Sequence, residues 1–183
     1  IVSMMSSEYT NRTLKQNLID GLSKKEFILS KFYVSVLYAL CSTILLFVVT
    51  LMLGLIFSDY DEFQIIFSDL EYIGGYFVKL LGFFSLCLFL GLLVKRSAFA
   101  LGFLFLLWIV EGIIGASLHD TKFDFISDYT PLNAMWRLIP EPITRLDIIN
   151  SAAKQLNADI MQDYSVSIFT IITVLAWTFL CVF

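Results

Sequence analysis

One histidine, three prolines and three cysteines are all this chain of 183 residues holds of three residue types that commonly mark chemistry or break regular structure. With His119 alone, neither an H-E-x-x-H helix nor any other histidine-containing metal cluster can be built, so no metal site is expected. Cys41, Cys87 and Cys181 are odd in number and each lies within an apolar run, which argues against a disulfide framework and for small buried side chains. There is no G-x-S-x-G elbow and no G-x-x-x-x-G-K-[ST] phosphate loop. An enzyme active site is therefore not expected, and no cofactor is expected on this chain. Charge is scarce too. Only 15% of residues are Asp, Glu, Lys or Arg, against about a quarter in soluble domains.

What the chain has instead is apolar length. Hydrophobic residues make up 58% of it, and its mean hydropathy is +0.83. They cluster into four runs, residues 33–57, 76–94, 98–118 and 164–183. Each approaches or exceeds the roughly 20 residues that cross a ~30 Å hydrocarbon core. Inside lipid every backbone polar group must be satisfied locally, so such runs are helices. The expected fold is all-α, a polytopic helical membrane bundle in contact with lipid. No signal peptide is visible. The opening "IVSMM" and the final apolar run suggest a piece of a longer protein. Ile1–Met5 then reads either as the tail of an earlier span or as a short apolar stretch on the surface.

The charges are sorted by segment. Residues 1–32 hold Arg12, Lys15, Lys24, Lys25 and Lys31, and the turn at 95–97 is "KRS". The link at 58–75 has no Lys or Arg but five acids, Asp59, Asp61, Glu62, Asp69 and Glu71, and acids are in excess in the connector at 119–163. Short basic segments stay in the cytoplasm. The N-terminal segment and the tight turn are thus expected inside, with both acidic connectors outside. "NRT" at Asn11–Thr13 matches a glycosylation acceptor but falls on the cytoplasmic side, so it is set aside.

The N-terminal segment has the marks of a hard corner. A helix starting at Thr10 or Asn11 carries Leu14 and Leu18 on one face, and Gly21 is placed to end it in the left-handed conformation. Ser23 and Glu26 then make an S-x-x-E capping box, with Leu22 and Phe27 at the spacing of a hydrophobic staple. An amphipathic helix at this position also fits a helix lying on the membrane surface. In the outer connectors, Phe63, Ile66, Phe67, Leu70 and Ile73 form one interfacial stripe. Thr130 as N-cap and Pro131 at N1 open a second helix with a stripe of Leu132, Met135, Trp136 and Ile139, ended by Pro140. A third stripe runs through Leu146, Ile149, Ala153, Leu156 and Ile160. Such helices either cover the mouth of a pathway or rest on the bundle or the lipid.

Two ionisable residues lie within the spans. Glu111 sits about seven residues, or ~10 Å, from the outer end of its helix, and Lys79 about one turn inside the outer end of the preceding span. A charge in hydrocarbon costs several kcal/mol, so Glu111 must be protonated, face a cavity or have a partner. A structural pair with Lys79 is expected; the other readings are a Glu111 that handles substrate or protons, or neither role, with Lys79 alone snorkelling to the outer interface.

The stretch "SSEYTNRTLKQNLIDGLSKKEFILSKF", Ser6–Phe32, resembles the segment after the second span in type-2 ATP-binding-cassette exporter permeases. The shared features are Glu8, Thr13-Leu14, Gly21, Ser23-Lys24-x-Glu26 and Lys31, with Arg12 where that family often has Gly. The order of spans and links that follows is also similar. The resemblance implies a cytoplasmic coupling helix that docks on a separate ATPase subunit, with ATP bound and hydrolysed on that partner. Its contact residues would be Thr13, Leu14, Lys15, Leu18, Gly21, Ser23, Lys24, Lys25 and Glu26. It further implies a second permease copy or paralogue, a place in the cytoplasmic (inner) membrane, and no nucleic-acid partner. The rival functions are a secondary transporter or channel subunit using Glu111, and a non-transporting membrane scaffold.

Overall fold

The computed structural model describes residues 1, 2, 4, 5, 8, 13–57, 70–94, 96–118, 127–139 and 166–182, with Leu14, Lys15, Leu18, Phe57 and Ser97 described by backbone alone. Among these residues the structure is helical, without strands. In chain order the helices are α1 (Thr13–Ile19), α2 (Lys24–Phe57), α3 (Leu70–Val94), α4 (Ser97–Leu118), α5 (Pro131–Arg137) and α6 (Ile168–Val182).

Three of them, α2, α3 and α4, are long and apolar enough to cross a membrane. The run expected as a fourth span is helical over the 15 residues of α6, about 22 Å at 1.5 Å per residue. The 34 residues of α2 extend for ~51 Å, well beyond a ~30 Å hydrocarbon core. Its first turns, with Lys24, Lys25, Glu26 and Lys31, therefore project past the apolar layer. Large apolar side chains stay uncovered along α2 and α4, among them Leu37, Ile56, Phe99 and Trp108. In water they would form a large exposed apolar patch, whereas in lipid they are solvated. The chain is membrane-embedded.

Helix α3 is the hub, packed against α2, α4, α5 and α6. Its buried face runs through Gly75, Gly82, Ser85, Leu86, Cys87, Leu88, Leu90 and Gly91. Glycine at 82 permits the closest approach. A Cβ there would lie 2.6 Å from Val174 Cγ1 of α6 and 3.0 Å from Met135 Cε of α5. The core joins Leu86 and Leu90 of α3 to Ala134, Met135 and Leu138 of the α5 segment and to Val174 and Cys181 of α6. Four buried hydroxyls are satisfied within their own helices: Ser35 donates to Lys31 O, Thr43 to Ala39 O, Ser85 to Leu81 O and Thr178 to Val174 O. Where no water is at hand, this back-bonding removes the cost of a bare polar group.

Several expectations are refined. Leu70 and Ile73, expected in a separate interfacial helix, belong to α3, which starts at Leu70 and passes through Gly74 and Gly75 unbroken. Gly75 is buried against Leu138, so tertiary packing holds a helix that two glycines would weaken alone. Phe63, Ile66 and Phe67, the stripe from Leu146 to Ile160, and His119 lie outside the described residues. The turn after α3 is tight, with α4 starting at Ser97. At the N-terminus, Val2 and Met5 are buried, with Met5 against Gly91 and Val2 in a cluster with Cys87 and Ala100. Val2 and Met5 thus pack into the bundle, with Ile1 partly buried beside them.

Candidate functional site: a braced corner at the foot of the first long helix

The corner between α1 and α2 is closed on both sides. Asp20 N–H donates to Gln16 O at 2.9 Å and Leu22 N–H to Asn17 O at 3.1 Å, while Gly21 has φ +99°. The bond from Leu22 back five residues, over a left-handed glycine, is the Schellman ending of a helix. On the other side, Ser23 N–H donates to Glu26 Oε2 at 2.8 Å and Glu26 N–H donates to Ser23 Oγ at 3.2 Å. This is the reciprocal capping box expected from the sequence. Hydrogen bonding from Ser23 to the Glu26 carboxyl, from its backbone N–H first and then its side chain, holds that carboxyl below its ordinary pKa. Of the proposed staple, Phe27 is buried while Leu22 is 42% exposed. The start of α1 is described from Thr13, so Thr10 and Asn11 fall outside the described residues.

A second set of contacts ties the corner to the bundle. The Lys31 ammonium pairs with Glu8 Oε1, and Thr13 Oγ1 donates to Glu8 Oε2. Lys31 also lies 5.3 Å from the centroid of the Phe27 ring. The Lys31 bond, followed by that of Thr13, holds the Glu8 carboxyl below the ordinary carboxylate range, against the opposing effect of partial burial. The sequence marked Glu8, Thr13 and Lys31 only as positions of a pattern. The structure makes them one unit, in which the stretch before α1, the start of α1 and the foot of α2 share a carboxylate.

Ser23, Lys24, Lys25 and Glu26 are exposed on the corner, as is Gly21. The side chains of Leu14, Lys15 and Leu18 lie outside the description, and only their place in α1 is given. Ile19, which the four-residue spacing of Leu14 and Leu18 passed over, is 83% exposed. Its position at the end of α1, before a glycine, is the signal that could have singled it out.

At the opposite end of the spans, where a Glu111–Lys79 pair is expected, α5 makes contacts with both residues. Glu111 is buried, and its two carboxylate oxygens accept from the backbone of α5: Leu132 N–H to Oε1 at 3.2 Å and Asn133 N–H to Oε2 at 3.0 Å. Lys79 lies 5.3 Å from the centroid of Trp136. The expected pairing rested on two isolated opposite charges; α5, packed against both spans, supplies two amides to Glu111 and an aromatic ring to Lys79. Asn133 Nδ2 donates to Ser127 O and Oγ, Trp177 Nε1 donates to Tyr129 O, and Arg137 pairs with Asp128. Among the described residues no group of His, Cys, Asp and Glu is placed to hold a metal ion.

The family model that matches covers residues 1–183 and is described as a protein of unknown function, DUF2705. The chain belongs to the DUF2705 family. No curated protein and no solved structure matches it. The family therefore leaves the role of the corner to be argued from its geometry, where the rigid part is the Schellman turn, the capping box and the Glu8 brace.

Proposed function

We propose that this chain is the membrane-spanning permease subunit of an ATP-driven exporter, with the corner at residues 13–26 facing the cytoplasm and docking on a separate ATPase subunit. The observation that carries the reading is the bracing of that corner. A turn fixed by a left-handed glycine and a reciprocal cap, then tied through Glu8 to Lys31, moves as one piece with the foot of α2. Such a piece transmits a push into the membrane, which a loosely held loop does not. The exposed Ile19 offers apolar surface for a partner beside Lys24 and Lys25. The resemblance of Ser6–Phe32 to exporter permeases supports the same reading. The engagement of Glu111 with two α5 amides weighs against a proton-handling role for it.

Leu14→Asp combined with Leu18→Asp tests the proposal, and Ile19→Asp adds a position described with its side chain. These residues lie outside the apolar runs, so membrane insertion is expected to be unchanged. Pull-down from detergent, with ATPase activity of the eluate as readout, is expected to recover the ATPase with wild type and lose it with the variants. Equal recovery would overturn the docking reading, and a corner that only rests on the membrane surface predicts that result.

A further inference from the structure

Helix α5 begins inside the bundle, and its first turn has no capping side chain of its own. Thr130 occupies the N-cap position with extended backbone, φ −66° and ψ 146°, but makes no cap bond. Its hydroxyl donates to Ser127 O instead. Pro131, at N1, has no N–H to satisfy. The two amides left, Leu132 and Asn133, both donate to Glu111, and the next, Ala134 N–H, reaches Thr130 O at 2.8 Å and opens the helical ladder. The donors of the first turn are thus all matched, but the cap comes from another helix, 21 and 22 residues earlier in the chain.

Depth makes that cap consequential. Glu111 lies about seven residues, or ~10 Å, inside the end of α4, and it is 5% exposed. Both bonds are partly buried, so water replaces a lost acceptor only in part, and an unmatched N–H there is costly. Beyond these bonds, α5 and its C-cap pack mainly through apolar contacts, Met135 against Gly82 and Leu138 against Gly75, with Lys79 over the Trp136 ring. Apolar contacts alone do not fix its depth or rotation, because lipid tails solvate the same side chains equally well. The two carboxylate bonds are directional, and Glu111 is the one ionisable side chain among the described residues of α4.

We propose that Glu111 is a positioning residue that latches α5 between α3, α4 and α6, and that α5 leaves its seat against Gly82 when this carboxylate is removed. The proposal concerns the opposite end of the spans from the corner and does not depend on ATPase docking. A leucine at 111 has no acceptor. A glutamine keeps one acceptor oxygen but turns an N–H₂ toward the second amide.

Hydrogen–deuterium exchange by mass spectrometry on the full chain in nanodiscs, read on peptides covering residues 127–139, tests it. Slow exchange is expected in wild type, faster exchange in Glu111→Gln, and the fastest in Glu111→Leu, with the last at least about tenfold above wild type. Peptides covering residues 35–43 of α2 are expected to stay unchanged. Unprotected 127–139 in wild type, no acceleration in Glu111→Leu, or equal acceleration in α2 would each overturn the latch. Glu111→Leu is apolar and close in volume, so insertion of α4 is retained. Western analysis of membrane fractions checks this, and loss of insertion in Leu but not Gln leaves the Gln comparison to decide.

Discussion

Lys31 pairs with the carboxylate of Glu8 across 23 residues of chain, and the same carboxylate receives the hydroxyl of Thr13. Three segments that the sequence separates are thereby fixed to one another at a single oxygen pair.

That arrangement has a pH signature. The Glu8 carboxyl is held below its ordinary value by Lys31 and then Thr13, so its folded pKa lies below its unfolded one. Its stabilising contribution is then complete above the ordinary glutamate value of about 4.3 and is lost as pH falls through the folded value. Glu8→Gln is expected to lower stability near neutral pH by about 1 kcal/mol, the upper end for an ion pair in reach of water. Thermal unfolding in detergent should show the gap to wild type closing below about pH 4. A gap that does not change with pH would mean that Glu8 acts through packing alone.

Glycines at 21 and 54 should respond in opposite directions. Gly21 has φ +99°, so Gly21→Ala is strained although nothing lies within 4 Å of the added Cβ. A cost of ~1 kcal/mol is expected from the left-handed backbone. Gly54 lies within α2 and has equally open surroundings, so Gly54→Ala should gain about 0.5–1 kcal/mol from helix propensity. Ser23→Ala should cost ~1 kcal/mol as a lost N-cap. Unfolding midpoints of the three variants check the signs.

Close packing at Gly82 supplies another test. Gly82→Ala sets a methyl 2.6 Å from Val174 Cγ1 and 3.0 Å from Met135 Cε, and overpacking of this kind costs about 1–3 kcal/mol. Val174→Ala removes the nearer obstacle. The double variant should therefore be less destabilised than the sum of the singles, and a double-mutant cycle reads the difference. Strict additivity would show that α6 is not seated against Gly82.

How much of this was legible follows from which interactions are local. The capping box and the glycine ending of α1 involve residues a few positions apart, so spacing and side-chain chemistry were enough to find them. The apolar helices were legible for the same reason, since length and composition decide whether a segment tolerates lipid. The partners of Glu111 were not. They are backbone amides, which every residue carries, and only the insertion of α5 between the spans left them needing an acceptor. The Glu8 brace was half legible: its residues stood out, but nothing in their spacing showed Lys31 folding back over 23 positions. Trp136 shares the expected apolar stripe with Met135, yet Trp136 is 61% exposed while Met135, Ala134 and Leu138 are buried. A seven-residue helix wedged among three others is covered from several sides, so a single-stripe pattern does not describe it.

The orientation of the chain remains the broadest expectation to test. Helix α2 leads away from the corner, α3 returns, and α4 starts again at Ser97, which brings Arg96 to the same end as Lys24. That end carries Lys24, Lys25, Lys31 and Arg96, whereas residues 58–75 carry five acids and no Lys or Arg. Basic residues close to span ends favour the cytoplasmic side. With Cys41, Cys87 and Cys181 replaced by alanine, single cysteines at Asp61 and Asp147 are expected to react with a membrane-impermeant maleimide in intact cells. Cysteines at Lys24 and Arg96 are expected to react only after permeabilisation. Labelling of Lys24→Cys from outside would reverse the orientation and remove the corner from the reach of any cytoplasmic ATPase.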